Sequence, residues 1–224
     1  MYQGRWLATA SLITCSLISL PSVSAPLEGD ATRGQQLVLQ GKPPSVAPCA
    51  ACHGVDGAGN AAAGFARLAG LDAGYIAKQL ADYQAKTRTH AIMSPNAVGL
   101  TAQERLDVGA YYAAQVVNTQ LTPSDTAKMA LGEHLAKQGD WDRYLPPCES
   151  CHGPDSQGVG ADFPALSGQH VSYLAGQLTA WQQGQRTNDP LQLMLGIAER
   201  LTAEEIEALA YYFAHQPTST KEGR

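Results

Sequence analysis

Apolar residues recur along most of the chain at helical rather than alternating spacing. Between Thr202 and Ala214, Ile206, Leu209, Ala210 and Phe213 share one face at three- and four-residue steps, the mark of an amphipathic helix. Two helix starts carry the same box. Leu100-Thr101-Ala102-Gln103-Glu104 and Leu201-Thr202-Ala203-Glu204-Glu205 each place Thr at the N-cap and Glu three residues later. The helices that follow end in Tyr111-Tyr112-Ala113 and Tyr212-Phe213-Ala214. Further helices are expected from near Ala31 and Ala73, and from near Thr126 and Val171. No stretch alternates convincingly as a strand, so the expected fold is all-α, with three main helices in each half and long loops between them.

The two halves are copies. Gly34-Gln35-Gln36-Leu37 matches Gly132-Glu133-His134-Leu135, Phe65 to Gly70 matches Phe163 to Gly168, and Tyr75 to Leu80 matches Tyr173 to Leu178. Arg88-Thr89 matches Arg186-Thr187, after which the second copy gains residues around Asn188-Asp189-Pro190 and Met93 aligns with Met194. A polar, proline-containing stretch at 119–125 reads as the linker, between an N-terminal domain at 26–118 and a C-terminal domain at 126–224. Gly34 and Gly132 are expected to let the first helix of each copy approach the last, against Tyr111 and Tyr212. Domains of about 90–100 residues are small for a self-sufficient core, and a buried prosthetic group would supply apolar interior.

Composition narrows the class. The chain has 224 residues, 44% apolar and 16% charged, with a formal charge of −5. Such a chain is neither disordered nor suited to gripping nucleic acid. Residues 1–25 read as a signal peptide: Arg5, an acid-free apolar stretch from Trp6 to Leu20, then Val23-Ser24-Ala25 before cleavage. The alternative is an uncleaved anchor, although the apolar stretch is shorter than the ~20 residues a span needs. Cleavage removes Cys15 and leaves an exported, soluble, slightly more acidic chain, with at most peripheral membrane association.

The four remaining cysteines fall in two identical patterns, Cys49-Ala50-Ala51-Cys52-His53 and Cys148-Glu149-Ser150-Cys151-His152. C-x-x-C-H is the attachment signature of c-type haem. Two thiols on one helical turn each bond a vinyl-derived carbon, and the adjacent His faces the iron. Disulfides suit an oxidising compartment but leave each His unexplained. Zinc would have to join pairs lying in separate copies. Two covalent haem c groups are therefore expected, with His53 and His152 as axial ligands.

The sixth ligand is sought among methionines. Met93 and Met194 hold the same repeat position, on loops before the last helices, and are the expected ligands; Met129 has no partner in the repeat and reads as packing. His90 is the local rival of Met93, but its aligned residue is Asn188. His134, His170 and His215 also lack repeat partners and read as surface or core residues. Arg88 and Arg186 are candidates for haem propionate contacts; the alternative is a cation placed near a helix C-terminus. Tyr75, Tyr173, Gln79 and Gln177 read as structural.

The two C-x-x-C-H-G segments, Tyr-x-x-x-Gln-Leu, Phe-Pro-x-Leu-Ser-Gly, Asn188-Asp189-Pro190 and Leu-Thr-x-x-Glu resemble the di-haem cytochrome c4 family over nearly the whole mature chain. The resemblance implies two class I cytochrome c domains related by a pseudo-twofold axis, with propionates facing the interface. It implies a periplasmic carrier of single electrons between a quinol-oxidising complex or dehydrogenase and a terminal oxidase or other acceptor. Where the second copy has Pro164, whose carbonyl receives the proximal His in such proteins, the first has Ala66, which keeps the carbonyl on a looser loop. Ser94-Pro95 after Met93 and Leu195-Gly196 after Met194 also differ, so the two potentials are expected to be unequal. The competing readings are a tightly bound cytochrome subunit of a dehydrogenase complex and a di-haem peroxidase or sensor. The paired methionines, which fill both sixth positions, argue against the last.

Overall fold

The computed structural model describes residues 1, 28–118 and 121–218; the signal-peptide expectation for residues 1–25 lies outside these apart from Met1. Ten α-helices occur among the described residues, five in each half. The first half holds α1 (Ala31–Gln40), α2 (Ala50–His53), α3 (Ala73–Ala85), α4 (Met93–Val98) and α5 (Ala102–Ala113). The second repeats them as α6 (Thr126–Lys137), α7 (Glu149–His152), α8 (Val171–Gln182), α9 (Leu193–Ala198) and α10 (Ala203–Ala214). Strand pairing among the described residues is confined to isolated bridges.

Five of the six long helices start at a side-chain cap; α8, which follows His170, has none. Asp30, Asp72 and Asp125 accept backbone N–H groups at the starts of α1, α3 and α6, and Thr101 and Thr202 form full capping boxes with Glu104 and Glu205. Within each half the last helix is the centre: α1 and α3 pack on α5, and α6 and α8 pack on α10. Gly34 and Gly132 permit the close crossing. A methyl group at Gly132 would overlap the Ala208 carbonyl and lie 2.5 Å from Tyr212 Cβ, and one at Gly34 would overlap Asp107 O and lie 2.9 Å from Tyr111 Cβ. The two apolar clusters are separate, one around Tyr75, Leu80 and Tyr112, the other around Leu174, Leu209 and Phe213, with Met129 packed against the second.

The halves join through reciprocal contacts. Arg88 and Arg186 form an antiparallel bridge, flanked by Thr89 N–H donating to Gln185 O at 3.1 Å and Thr187 N–H donating to Thr87 O at 2.8 Å.

Candidate functional site: two equivalent cavities

Each half gathers its cysteines, histidine and methionine around one cavity. The first, about 390 Å³, is lined by Cys49, Cys52, His53 and Met93. The second, about 360 Å³, is lined by Cys148, Cys151, His152 and Met194. The one-turn helices α2 and α7 start beside Cys49 and Cys148 and end at His53 and His152, so both sulfurs of a pair sit on one turn beside the imidazole. Gly54 and Gly153 follow at φ 77° and 79°, a left-handed conformation that glycine adopts without a Cβ penalty.

Both imidazoles are buried and oriented alike. His53 Nδ1 lies 2.9 Å from Ala66 O, and His152 Nδ1 lies 2.8 Å from Pro164 O. A carbonyl only accepts, so Nδ1 carries the proton and Nε2 presents its lone pair to the cavity chemistry. Burial lowers the pKa of both histidines, which favours the neutral, ligating form. Burial also pushes the Cys49 thiol up to about 11 and the Cys148 thiol up to about 12, the opposite of an activated thiolate. None of the four cysteines is in a disulfide. Among the described residues no group of three or more His, Cys, Asp or Glu could hold a metal ion by itself.

The methionines sit on short helices rather than on the loops expected from the sequence. Met93 opens α4, and Met194 is the second residue of α9; each helix is only six residues long, too brief to register as a helical period. His90 lines the first cavity, but its Nδ1 accepts from Ile92 N–H at 3.2 Å and Met93 N–H at 3.3 Å, so it caps the methionine helix. In the second half Asp189 does the equivalent work, accepting from Leu195 N–H at 3.0 Å and from Trp181 Nε1 at 2.9 Å. Gln84 and Gln182, not singled out from the sequence, hold the other ends: their amides donate to Ala97 O and Leu100 O, and to Ala198 O and Leu201 O. They occupy matching repeat positions, and that match was the available signal.

Arg88 and Arg186 do not serve as helix-end cations. Both are buried and cross the interface. Arg88 donates to Gln79 Oε1 at 3.0 Å, to Tyr173 OH at 2.8 Å and to Gln177. Arg186 donates to Gln177 Oε1 at 3.0 Å and Gln79 Oε1 at 3.2 Å, with Tyr75 OH at 3.5 Å. Tyr75, Tyr173, Gln79 and Gln177 are therefore interface residues, and all four line both cavities. Neither guanidinium is paired with a carboxylate among the described residues. A buried cation without an anion is costly, and a haem, which brings carboxylates, fits both the apolar cavities and these charges. Of the remaining histidines, His134 is exposed, His215 Nδ1 bonds Tyr211 O at 2.7 Å, and His170 crosses to the other half, its Nε2 2.9 Å from Ala58 O.

The cytochrome c family model matches residues 31–131. The thiosulfate dehydrogenase electron acceptor of Stutzerimonas stutzeri (strain A1501) is 43% identical over 202 residues, covering 89% of this chain and 93% of that protein. Cytochrome c4 of Pseudomonas aeruginosa is 36% identical over 208 residues, covering 92% of this chain and 96% of its own. The chain belongs to the cytochrome c4 family. As a cytochrome c4 relative it carries two covalently bound haem c groups and transfers electrons. Among solved structures, the thiosulfate dehydrogenase TsdBA of Marichromatium purpuratum, as isolated, aligns with a TM-score of 0.78 at 45% identity, covering 85% of this chain. This cytochrome spans 41% of that longer chain.

Proposed function

We propose that this cytochrome is a periplasmic carrier that takes single electrons from a thiosulfate-oxidising dehydrogenase and delivers them to a terminal oxidase or another acceptor. Its two domains, 26–118 and 126–224, meet at the linker 119–125. Cys49 and Cys52 would hold one haem, and Cys148 and Cys151 the other; His53 with Met93, and His152 with Met194, would ligate the irons, and Arg88 and Arg186 would neutralise propionates at the interface. When bound, each haem supplies a one-electron iron couple. The protein's part would be to supply the iron ligands from His53 and Met93, and from His152 and Met194, to exclude water with apolar walls, and to keep buried positive charge between the sites. The observation that carries the reading is the shared wall: Tyr75, Gln79, Tyr173, Gln177 and Arg186 line both cavities, so the two sites are neighbours within one electron path.

The donor is suggested by the name of the Stutzerimonas relative. Rapid mixing of the oxidised protein with thiosulfate dehydrogenase and thiosulfate tests it: reduction of both haems is expected, slowing as salt screens the acidic chain's encounter. No reduction on the timescale of dehydrogenase turnover would remove this donor. The likeness to part of a longer thiosulfate dehydrogenase chain favours a second reading, a stably bound subunit, for which salt-resistant co-elution with the dehydrogenase is the test.

A further inference from the structure

The two halves hold their histidine acceptors by different means. In the second, the acceptor carbonyl belongs to Pro164, whose ring fixes φ. In the first it belongs to Ala66, which has no such restraint, yet the hydrogen bond is the same length within 0.1 Å. The next residue supplies the difference. Arg67 is buried at 4% exposure and is gripped by the other half on both backbone and side chain. Its N–H donates to Gln169 Oε1 at 2.8 Å, and its carbonyl accepts from Gln169 Nε2 at 2.8 Å. Its guanidinium donates to Gly168 O at 3.0 Å, to Ser167 O at 2.8 Å and to Ala69 O within its own loop. Upstream in the same loop, Ser172 Oγ donates to Ala61 O at 3.0 Å. The device is one-sided. At the repeat positions of Arg67 and Gln169 stand Ala165 and Leu71, which offer neither a guanidinium nor an amide.

We propose that Arg67 and Gln169 are positioning residues for His53: the second half clamps the loop that carries the Ala66 carbonyl, replacing the restraint that Pro164 gives His152. The inference rests on His53 being an axial ligand. A firm Nδ1–H···O bond makes the imidazole a stronger donor through Nε2, which favours ferric iron and lowers the potential. Releasing the clamp therefore raises the potential at the first site through His53, a route that the second site, with Pro164, lacks. Loss of the Arg67 positive charge alone would act in the opposite direction, since a nearby cation disfavours the ferric state. The sign separates positioning from electrostatics.

The test is a redox titration of the di-haem protein, with each site followed by the methionine-methyl NMR resonance of its reduced haem and assigned by the resonance lost in Met93→Ala. Arg67→Ala, at a residue that lines neither cavity, is expected to shift the first-site potential upward and leave the second unmoved. Gln169→Leu, at a residue that also lines the second cavity, is expected to shift the first site upward by clearly more than the second. Gln169→Leu removes no charge and keeps the guanidinium contacts, so it carries the test if Arg67→Ala folds poorly. Adding Ala66→Pro to either variant is expected to bring the first-site potential back towards wild type without restoring the lost contacts. Equal shifts at both sites, a downward or absent shift, or failure of the proline to restore the potential would each overturn the proposal. A wild-type first haem lacking histidine ligation would instead show in its own spectrum, before any variant is compared.

Discussion

Asp107 lies beneath Arg33 with its side chain 3% exposed, and the guanidinium grips both carboxylate oxygens at 2.8 Å. That pairing, with the Asp30 N–H and Gln103 also donating, holds the carboxyl down at about 2 against an ordinary 3.8. A depressed folded-state pKa means stability that is complete above pH ~4 and is lost as pH falls towards ~2. Asp107→Asn is expected to cost about 2 kcal/mol near neutrality. Urea midpoints for the two proteins should converge between pH 4 and 2, and a constant gap down to pH 2 would contradict the assignment. The methionines give a second expectation at this scale. Met194→Ala should leave one iron open to carbon monoxide or cyanide while the other stays closed, read by one haem's worth of ligand-induced change in the Soret band.

At the scale of elements, α5 and α10 are the centres of their halves, and the glycines of α1 and α6 set how closely they are approached. Gly132→Ala places a methyl group against the Ala208 carbonyl, backbone that cannot rotate away. Overpacking of this kind costs about 1–3 kcal/mol, so a lowered thermal midpoint with an unchanged haem spectrum is expected. The six long helices were legible in the sequence because their signals are local: Thr101 with Glu104, Thr202 with Glu205, and apolar faces of three turns. The one-turn helices beside Cys49 and Cys148 were read from the C-x-x-C-H motif and not from any period, while the six-residue helices at Met93 and Met194 were not legible, since so short a segment cannot display a 3.6-residue period. The cavity residues were legible because two copies of one motif sit in one chain. The clamp of Arg67 by Gln169 was invisible for the opposite reason: the repeat has Ala165 and Leu71 at those positions, and the contact spans 102 residues.

Across the whole molecule the halves are bound by hydrogen bonds that cross at nearly every step. Gln79 Oε1 alone receives Arg88, Arg186 and Asn188. Gln79→Leu is therefore expected to leave buried donors short on both sides, at about 1–3 kcal/mol for each one unsatisfied, and to move both haem potentials in one redox titration, unlike the one-sided shift expected at Arg67. Other matched stretches differ between the copies: Gln35-Gln36 faces Glu133-His134, and Ser94-Pro95 faces Leu195-Gly196. The tyrosine, glutamine and arginine of each half remain identical to those of the other. Each of these side chains serves its own cavity and its neighbour's, so a mutation there is judged twice. A duplicated protein can specialise its copies where the contact runs one way, as Arg67 and Gln169 do against Ala165 and Leu71; where the lean is mutual, the seam carries one spelling on both sides.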